Sequence, residues 1–336
     1  MPAFRYANPL DIFWGRKAVS QYLAAELNRL RVKGPVIVTT RSLREKARQL
    51  ELRPASSPVT VVVSQHAPMT EIESAFNDAL ASDVDGVVSF GGGSAIDAGK
   101  IIALRLAEQY GIDDRGLRHI AIPTTLSAAE LASGAGYTDA DGTKAGMRDP
   151  RLLPNVVIYD PEVTLDTPME LWLSTGIRAL DHAVEGCLAE GEHPFNDVMA
   201  LEAIRRLFDS LPRAKADPRN LEVRQENQLA AWFSFTLPGA SASGLSHVMG
   251  KQIGARHGIP HGVTSCLLLP HVMRYVGRKQ TLPVGADDVE KLIADLGLPQ
   301  HIAAYGIGEP ELRAAASELA GKYPADDLLQ IYTAAL

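Results

Sequence analysis

Short apolar runs alternate with amphipathic stretches along the N-terminal half of the chain. The apolar runs predict buried strands at residues 35–40, 59–63, 85–90, 119–122 and 155–159. The stretches between them carry apolar residues at helical spacing and predict helices at residues 42–50, at residues 70–81 and up to Gln109. Strands that alternate with helices form a parallel sheet covered on both faces, so an α/β fold is predicted here.

The pattern changes near residue 160. Residues 134–148 predict a β-hairpin with Asp141 and Gly142 at its turn. After Pro161, strand-like runs become rare, and helical spacing predicts helices at residues 172–190, 195–211, 218–236, 238–255, 286–296 and 309–321. We therefore expect two domains, which are an α/β dinucleotide-binding domain at residues 1–160 and an all-α catalytic domain at residues 161–336.

Composition excludes several classes of protein. The chain of 336 residues is 46% hydrophobic and 22% charged, which is typical of a globular protein. Its net charge of −7 argues against a nucleic-acid partner. The two cysteines, Cys187 and Cys266, lack the spacing of a disulfide scaffold or a zinc site. We see no signal peptide and no membrane span, so we expect a cytoplasmic protein.

The most informative segment, VVSFGGGSAIDAGK at residues 87–100, joins a predicted strand to a predicted helix. Its three glycines allow the backbone to approach a ligand closely, and the N-terminus of the helix attracts a phosphate. A tight structural connection is the alternative interpretation. We interpret the segment as a pyrophosphate cradle, whose candidate residues are Gly91, Gly92, Gly93, Ser94, Asp97 and Lys100.

The string GGGSxxDxxK at residues 91–100 resembles the dinucleotide-binding signature of the iron-containing alcohol dehydrogenase superfamily. The resemblance implies NAD or NADP as cofactor and a Rossmann-like domain followed by a helical one, in the dehydroquinate synthase-like architecture. Thr124 and Thr125 resemble the superfamily's IPTT element, which flanks the nicotinamide and the phosphates, and Lys144 matches a lysine used against the cofactor ribose. Without the resemblance, the threonines would be read as a capping turn and Lys144 as a solvated lysine.

The end of the first predicted strand bears on the choice between NAD and NADP. Enzymes that prefer NAD usually place an acid there to bond the ribose 2′-hydroxyl. Here the position is Thr40, followed by Arg41, so no carboxylate repels a 2′-phosphate. We expect NADPH to be used at least comparably to NADH. The alternative is that Arg41 only begins the next helix in solvent.

Two segments of the predicted helical domain carry candidate catalytic residues. In the metal-dependent members of the superfamily, a helix supplies an aspartate and, four residues later, a histidine, and two further histidines complete the site. This chain keeps the histidines as His182, His247 and His261, but the aspartate position is Arg178. An arginine cannot ligate a cation. Its positive charge would repel one, with a Coulomb energy of about 4 kcal/mol per pair of unit charges at about 4 Å and an effective dielectric constant of about 20.

A second departure agrees with the first. Many superfamily members have a histidine directed at the nicotinamide four residues after the one at His247, and this chain has Lys251 there. A cluster with Arg178, Lys251 and three histidines suits an anionic substrate and can stabilise charge on a carbonyl oxygen. Residues 144–154 and 260–271 resemble the maleylacetate reductase branch. Arg178 could alternatively form a buried ion pair with Asp181 or Glu185.

We therefore expect a metal-independent, NAD(P)H-dependent reductase of a small anionic carbonyl compound, such as a keto acid. Arg178 and Lys251 are predicted to hold substrate charge or polarise the carbonyl, and His247 or His261 to donate the proton. A metal-dependent alcohol dehydrogenase with a three-histidine site and a catalytically silent cofactor-binding regulatory protein are the alternatives. We expect a homodimer. The other histidines are interpreted as structural or surface residues: His66, His119, His193, His257, His271 and His301.

Overall fold

The computed structural model describes residues 9, 11–52, 58–112, 117–236, 244–277, 282–321 and 323–336. The chain forms two compact units. The first contains the described residues up to Thr167 together with Arg219–Gln228, and the second contains Pro168–Pro218 and the described residues from Leu229 onward. The assignment of cofactor binding to residues 1–160 and of catalysis to residues 161–336 stays a prediction.

The first unit is built on a parallel sheet of six described strands. In spatial order these are β1 (Asp11–Trp14), β8 (Val156–Tyr159), β5 (Arg118–Pro123), β4 (Gly86–Gly91), β2 (Pro35–Thr39) and β3 (Val59–Val62). Every neighbouring pair is parallel, which confirms the predicted α/β class. Strand β1 was not predicted, because it begins with a charged residue and none of its four residues is buried, so it lacks the continuous apolar run of the inner strands.

Helices cover both faces of this sheet, as predicted. They are α1 (Ala18–Arg29), α2 (Arg44–Arg48), α3 (Met69–Ala81) and α4 (Gly93–Gln109), of which α1 was not predicted. Val36 and Val38 of β2 belong to the core with Ile72 and Ile101, whereas Ile37 belongs to the opposite core. Alternate side chains of a strand point to opposite faces, so both faces of β2 are buried. The helix predicted at residues 42–50 is shorter and begins with a 3₁₀ turn, Arg41–Leu43.

The predicted hairpin is confirmed. Its antiparallel strands are β6 (Gly134–Thr138) and β7 (Lys144–Arg148). At the turn Gly142 has φ of +85°, a conformation that favours glycine, and the Asp141 carboxylate accepts a hydrogen bond from the Thr143 N–H at 2.9 Å.

The part of the chain after Pro168 is helical, as predicted. Its helices are α5 (Met169–Leu188), α6 (Pro194–Ala216), α7 (Leu221–Phe233), α8 (Leu245–His257), α9 (His261–Val276), α10 (Ala286–Leu296), α11 (Glu309–Leu319) and α12 (Ala325–Ala334). The start of the helix predicted at residues 238–255 lies outside the described residues. Helices α9 and α12 were not predicted. Among the described helices, none combines the length and the apolar character that crossing a membrane requires.

His119 on β5 predicts how stability depends on pH. Its Nε2 lies 2.6 Å from Ser89 Oγ, and burial together with the charge of Lys100 lowers its pKa to about 3. Below about pH 6.5 the unfolded chain therefore binds a proton that the folded chain excludes, and the free energy of unfolding should fall by up to about 1.4 kcal/mol per pH unit. Urea titrations between about pH 7 and about pH 4 should show a shallower dependence in His119→Phe, and equal slopes would contradict the assignment.

Candidate active site

The glycine turn joins β4 to α4 and packs against the loop that follows β5. Gly91 has φ of +156°, and Gly92 precedes the first residue of α4. A Cβ atom on Gly92 would lie 2.9 Å from Thr125 Cγ2, and one on Gly93 would lie 3.3 Å from Ser127 Oγ. No side chain in the described part of the chain caps the N-terminus of α4. The turn therefore needs small residues and leaves backbone N–H groups of the type that bind phosphate.

The other predicted cofactor residues at strand ends lie along the same edge of the sheet. Thr40 follows β2, and a Cβ on Gly91 would lie 4.0 Å from its Cγ2. The Thr124 N–H donates to the Gly91 carbonyl at 2.9 Å, and Thr125 Oγ1 donates to Ser127 Oγ at 3.4 Å. Because β2, β4 and β5 are parallel neighbours, the structure brings together residues from three distant segments.

Ser94 and Lys144 both lie near His66, in a loop that sequence reasoning had not assigned to this edge. Ser94 Oγ accepts the N–H of His66 at 2.9 Å, and Thr138 Oγ1 donates to the His66 carbonyl at 3.2 Å. Lys144 pairs with Thr138 in the hairpin. Burial and the charge of Lys144 lower the pKa of His66 to about 4. His66 and the next residue, Ala67, have φ of 69° and 48°, so this loop is held in a conformation that non-glycine residues rarely adopt.

Lys100 and Asp97 were expected to contact a phosphate of the cofactor. In the structure, their charged groups form hydrogen bonds to other parts of the protein. The Lys100 side chain is 0% exposed, and its ammonium donates to Asp97 Oδ1 at 3.3 Å and to the carbonyls of Ala132 at 3.0 Å and Gly134 at 2.8 Å. It also donates to the Ala129 carbonyl. Lys100 therefore lies beneath the segment that follows the cofactor loop, with its hydrogens directed at protein oxygens.

In the second unit, the structure brings the predicted catalytic residues around His247. Arg178 and His182 lie on α5, His247 and Lys251 on α8, and His261 begins α9. The Arg178 guanidinium donates to His247 Nδ1, and the rings of His182 and His247 are 6.1 Å apart between centroids. Burial lowers the pKa of His247, and the charges of Arg178, His182, His261 and Lys251 lower it further.

Arg178 also forms the ion pair that the sequence offered as an alternative. Its Nη1 donates to Asp181 Oδ2 at 3.1 Å and to Ser265 Oγ at 2.9 Å. The same Asp181 oxygen accepts Ser246 Oγ at 3.1 Å and Ser265 Oγ at 2.6 Å. Burial raises the pKa of Asp181, whereas the charge of Arg178 and these hydrogen bonds lower it in part. One carboxylate oxygen thus joins α5, α8 and α9, and neither serine had been predicted from the sequence.

Glu185 fixes the start of α8. Its carboxylate accepts the backbone N–H groups of Gly244 at 3.0 Å and Ser246 at 2.5 Å. A Cβ atom on Gly244 would overlap the Glu185 carboxylate, so this position requires glycine. Burial, and then the neighbouring Asp181, raise the pKa of Glu185. The contact holds the first turn of the helix that carries His247.

The protonation of His247 follows from its partner. Arginine has only donors, and Arg178 Nη2 lies closer to Nδ1 of His247 than to Nε2, which is 3.3 Å away, so we assign the acceptor role to Nδ1 and the imidazole proton to Nε2. Burial and the charge of Arg178 also lower the pKa of His182, whose Nδ1 has no partner among the described residues. Both rings are therefore neutral near pH 7, and His247 can present an N–H to a ligand.

The candidate site does not form a metal-ligand cluster in the described part of the chain, where no three histidine, cysteine, aspartate or glutamate side chains lie close enough to hold one ion. Arg178 lies at the position where the resemblance to the superfamily would place a carboxylate ligand. Its guanidinium contacts His247, one of the three histidines that would be needed.

Comparisons with known proteins agree with the fold and with the glycine signature. The protein-family model described as "Iron-containing alcohol dehydrogenase" matches residues 9–161. The model of the C-terminal part, described as "Fe-containing alcohol dehydrogenase family, C-terminal", matches residues 172–282. A maleylacetate reductase from Rhizobium sp. (strain MTP-10005) is 32% identical over 96% of this chain and 93% of the relative.

Solved structures extend the likeness to the whole chain. The maleylacetate reductase from Agrobacterium tumefaciens has a TM-score of 0.88 at 28% identity and covers 100% of this chain and 99% of that one. The sulfoacetaldehyde reductase from Bifidobacterium kashiwanohense in complex with NAD+ shares the fold, with a TM-score of 0.85, 24% identity and 99% of each chain covered. The chain therefore belongs to the iron-containing alcohol dehydrogenase family and is an oxidoreductase that uses a nicotinamide cofactor.

Proposed function

We propose that this protein reduces the carbonyl group of a small anionic substrate, such as a keto acid resembling maleylacetate, at the expense of NADH or NADPH and without a metal ion. The observation that carries the proposal is the Arg178 guanidinium, which contacts His247 in a group that includes Lys251 and His261. Positive side chains around a histidine suit a substrate carboxylate and a carbonyl oxygen that gains charge. The relatives named as maleylacetate reductases support the same substrate class.

The residues of this cluster have different roles in the proposed reaction. A bound reduced nicotinamide supplies the hydride. Arg178 and Lys251 hold the substrate's negative charge and stabilise the developing charge on the carbonyl oxygen. His247 presents Nε2–H, because Nδ1 is engaged by Arg178, and this N–H can donate a hydrogen bond to the carbonyl oxygen. Because the ring is neutral, His247 can pass this proton to the oxygen only as solvent returns a proton to the ring. His261, at the exposed start of α9, is the second candidate for the proton donor.

Iron, which the family description names, does not fit the described residues. A divalent ion beside the three histidines would face the permanent charge of Arg178 in place of a carboxylate. Asp181 does not replace that carboxylate among the described residues: its Oδ2 is bonded to Arg178, Ser246 and Ser265, and although its Oδ1 has no partner there, Asp181 forms no cluster of three possible metal ligands with these histidines. For these reasons we assign the polarising role to side chains and derive no step through a metal.

The test combines metal analysis with kinetics on purified enzyme. We expect less than about one-tenth of a metal ion per chain and an unchanged rate of NAD(P)H oxidation with keto acids after treatment with a chelator. One tightly bound iron or zinc per chain, with activity lost on its removal, would establish the metal-dependent alternative. No turnover with any keto acid or aldehyde, despite normal cofactor binding, would favour a silent regulatory protein.

Thr40 tests the cofactor preference. The residue follows β2, and Arg41 next to it is exposed, so no carboxylate opposes a 2′-phosphate. We expect NADPH to be used at least comparably to NADH, and Thr40→Asp to shift the ratio of kcat/KM toward NADH by about tenfold or more through charge repulsion. Thr40→Asn is the matched uncharged control. A hundredfold preference of the wild type for NADH would contradict this interpretation.

We also propose that the enzyme is a cytoplasmic homodimer. Symmetric dimers are the commonest oligomers of soluble enzymes, and the composition favours neither a nucleic-acid nor a membrane partner.

A further inference from the structure

Lys100 is a charged side chain that the proposed reaction does not use. It lies on α4 and is 0% exposed, and its ammonium contacts one carboxylate and three backbone carbonyls. A lysine is seldom fully buried unless it is paired, since removal of its charge from water is costly. These contacts offset that cost, so the local structure depends on the ammonium being there.

The backbone acceptors of Lys100 all lie in one short segment. The carbonyls belong to Ala129, Ala132 and Gly134, which are 29 to 34 residues farther along the chain. Asp97 completes the contact, because its Oδ2 accepts the N–H of Gly136 at 3.1 Å while its Oδ1 accepts Lys100. The two side chains therefore hold residues 129–136 against α4.

This segment joins two parts of the proposed cofactor site. On its N-terminal side lie Thr125 and Ser127, which pack against the glycine turn. On its C-terminal side β6 pairs with β7, whose first residue is Lys144. At the junction, Ala128 has φ of 57°, a left-handed conformation that costs free energy for an alanine and must be imposed by its surroundings.

Glu130 is a second acidic side chain on which the charge of Lys100 acts. It is 1% exposed, its Oε1 accepts the Tyr159 hydroxyl at 2.8 Å, and its Oε2 has no partner among the described residues. Two acidic side chains, Asp97 and Glu130, thus lie in a buried region with Lys100. Loss of the ammonium would leave carbonyl oxygens unpaired and remove the positive charge between these acids.

We propose that Lys100 and Asp97 are positioning residues that hold residues 129–136 in the conformation required for cofactor binding, and that Lys100 does not touch the cofactor. The inference rests on the proposed cofactor site. The pair acts through Lys144 on the hairpin and through Thr125 on the loop. Substitution of Lys100 therefore displaces the residues that contact the cofactor and removes no contact of its own.

A double-mutant cycle tests this role. NADPH and NADH are titrated by fluorescence into wild type, Lys100→Met, Lys144→Ala and the double variant, at a temperature where circular dichroism shows each protein folded. We expect Lys100→Met to weaken binding at least tenfold. We expect Lys144→Ala to weaken the wild type by a similar factor but the Lys100→Met protein by less than threefold, because Lys144 is already displaced. Lys291→Met, at an exposed lysine paired with Asp295, is the control and should bind normally.

The other outcomes are also decisive. If the factors by which the two substitutions weaken cofactor binding multiply in the double variant, Lys100 contacts the cofactor directly. If folded Lys100→Met binds the cofactor as the wild type does, Lys100 has only a structural role. Either result overturns the proposal. If Lys100→Met does not fold, Asp97→Asn replaces it in the cycle, with an expected threefold or greater loss and the same dependence on Lys144. A wild type that binds neither nucleotide would overturn the proposed function together with this inference.

Discussion

Replacement of Arg178 by alanine should lower kcat/KM for an anionic keto acid by about thirty- to a hundred-fold and change that for a neutral aldehyde much less. Loss of a charge-assisted bond to a substrate carboxylate is worth about 2–3 kcal/mol, which is this factor. A neutral substrate does not form that bond. Steady-state kinetics with a matched pair of acidic and neutral carbonyl substrates measures the difference.

The same substitution should also destabilise the protein, and this effect must be separated from the first. Arg178 is paired with the fully buried Asp181, and removal of one partner of a buried pair costs about 3–5 kcal/mol because the other charge is left uncompensated. The double variant Arg178→Ala/Asp181→Ala removes both charges and should recover part of that loss in urea unfolding. Kinetics of the double variant are compared with those of Asp181→Ala, which loses the same bonds to Ser246 and Ser265, so that the difference reports on the substrate contact of Arg178.

The outcome for selectivity decides between the two roles of Arg178. If the double variant still discriminates between acidic and neutral substrates as the wild type does, the arginine is only a structural partner of Asp181. Lost discrimination with recovered stability would establish that the guanidinium recognises the anionic group. Asp181→Asn, which keeps the size of the side chain, shows whether discrimination requires the charge of the carboxylate.

Valine at Gly92 should weaken the binding of NADH and NADPH at least tenfold, or about 1.4 kcal/mol. A Cβ atom there would lie 2.9 Å from Thr125 Cγ2, so the substitution displaces the loop that carries two predicted cofactor residues. It also adds volume at the N-terminus of α4, where the pyrophosphate is expected. Fluorescence titration of the folded variant measures the effect.

Gly321 provides the control for that experiment. A Cβ atom on this glycine would meet no atom of the described residues within 4 Å, so Gly321→Val should bind cofactor as the wild type does. Normal cofactor binding by folded Gly92→Val would remove the glycine turn from the cofactor site.

The sequence predicted those parts of the molecule whose signal is local. Short runs of neighbouring residues predict the glycine turn, the hairpin and the alternation of strands and helices. The structure confirms these elements. Lys100 shows the limit of such reasoning. Its position one helical turn from Asp97 was recognised, but its partners lie 29 to 34 residues away, and only the folded chain shows them.

Asp181 shows the same limit in the candidate catalytic site. The sequence offered it, together with Glu185, only as a possible ion-pair partner of Arg178, from which it lies three residues along the same helix. Its partners Ser246 and Ser265 come from two other helices, at sequence separations of 65 and 84 residues. No periodic pattern relates such positions, so the network could not be derived from the sequence.

The shared oxygen of Asp181 constrains how this site can change by mutation. A carboxylate at position 178, which a metal site of the superfamily type would require, together with Asp181 would place two acids three residues apart on a buried helix. An arginine at 178 without Asp181 would leave a buried cation without its partner. Each single step costs several kcal/mol, a large part of the stability of an ordinary protein. Positions 178 and 181 should therefore be exchanged together among relatives, and a lineage that has acquired both residues is separated from the metal-binding form by a destabilised intermediate.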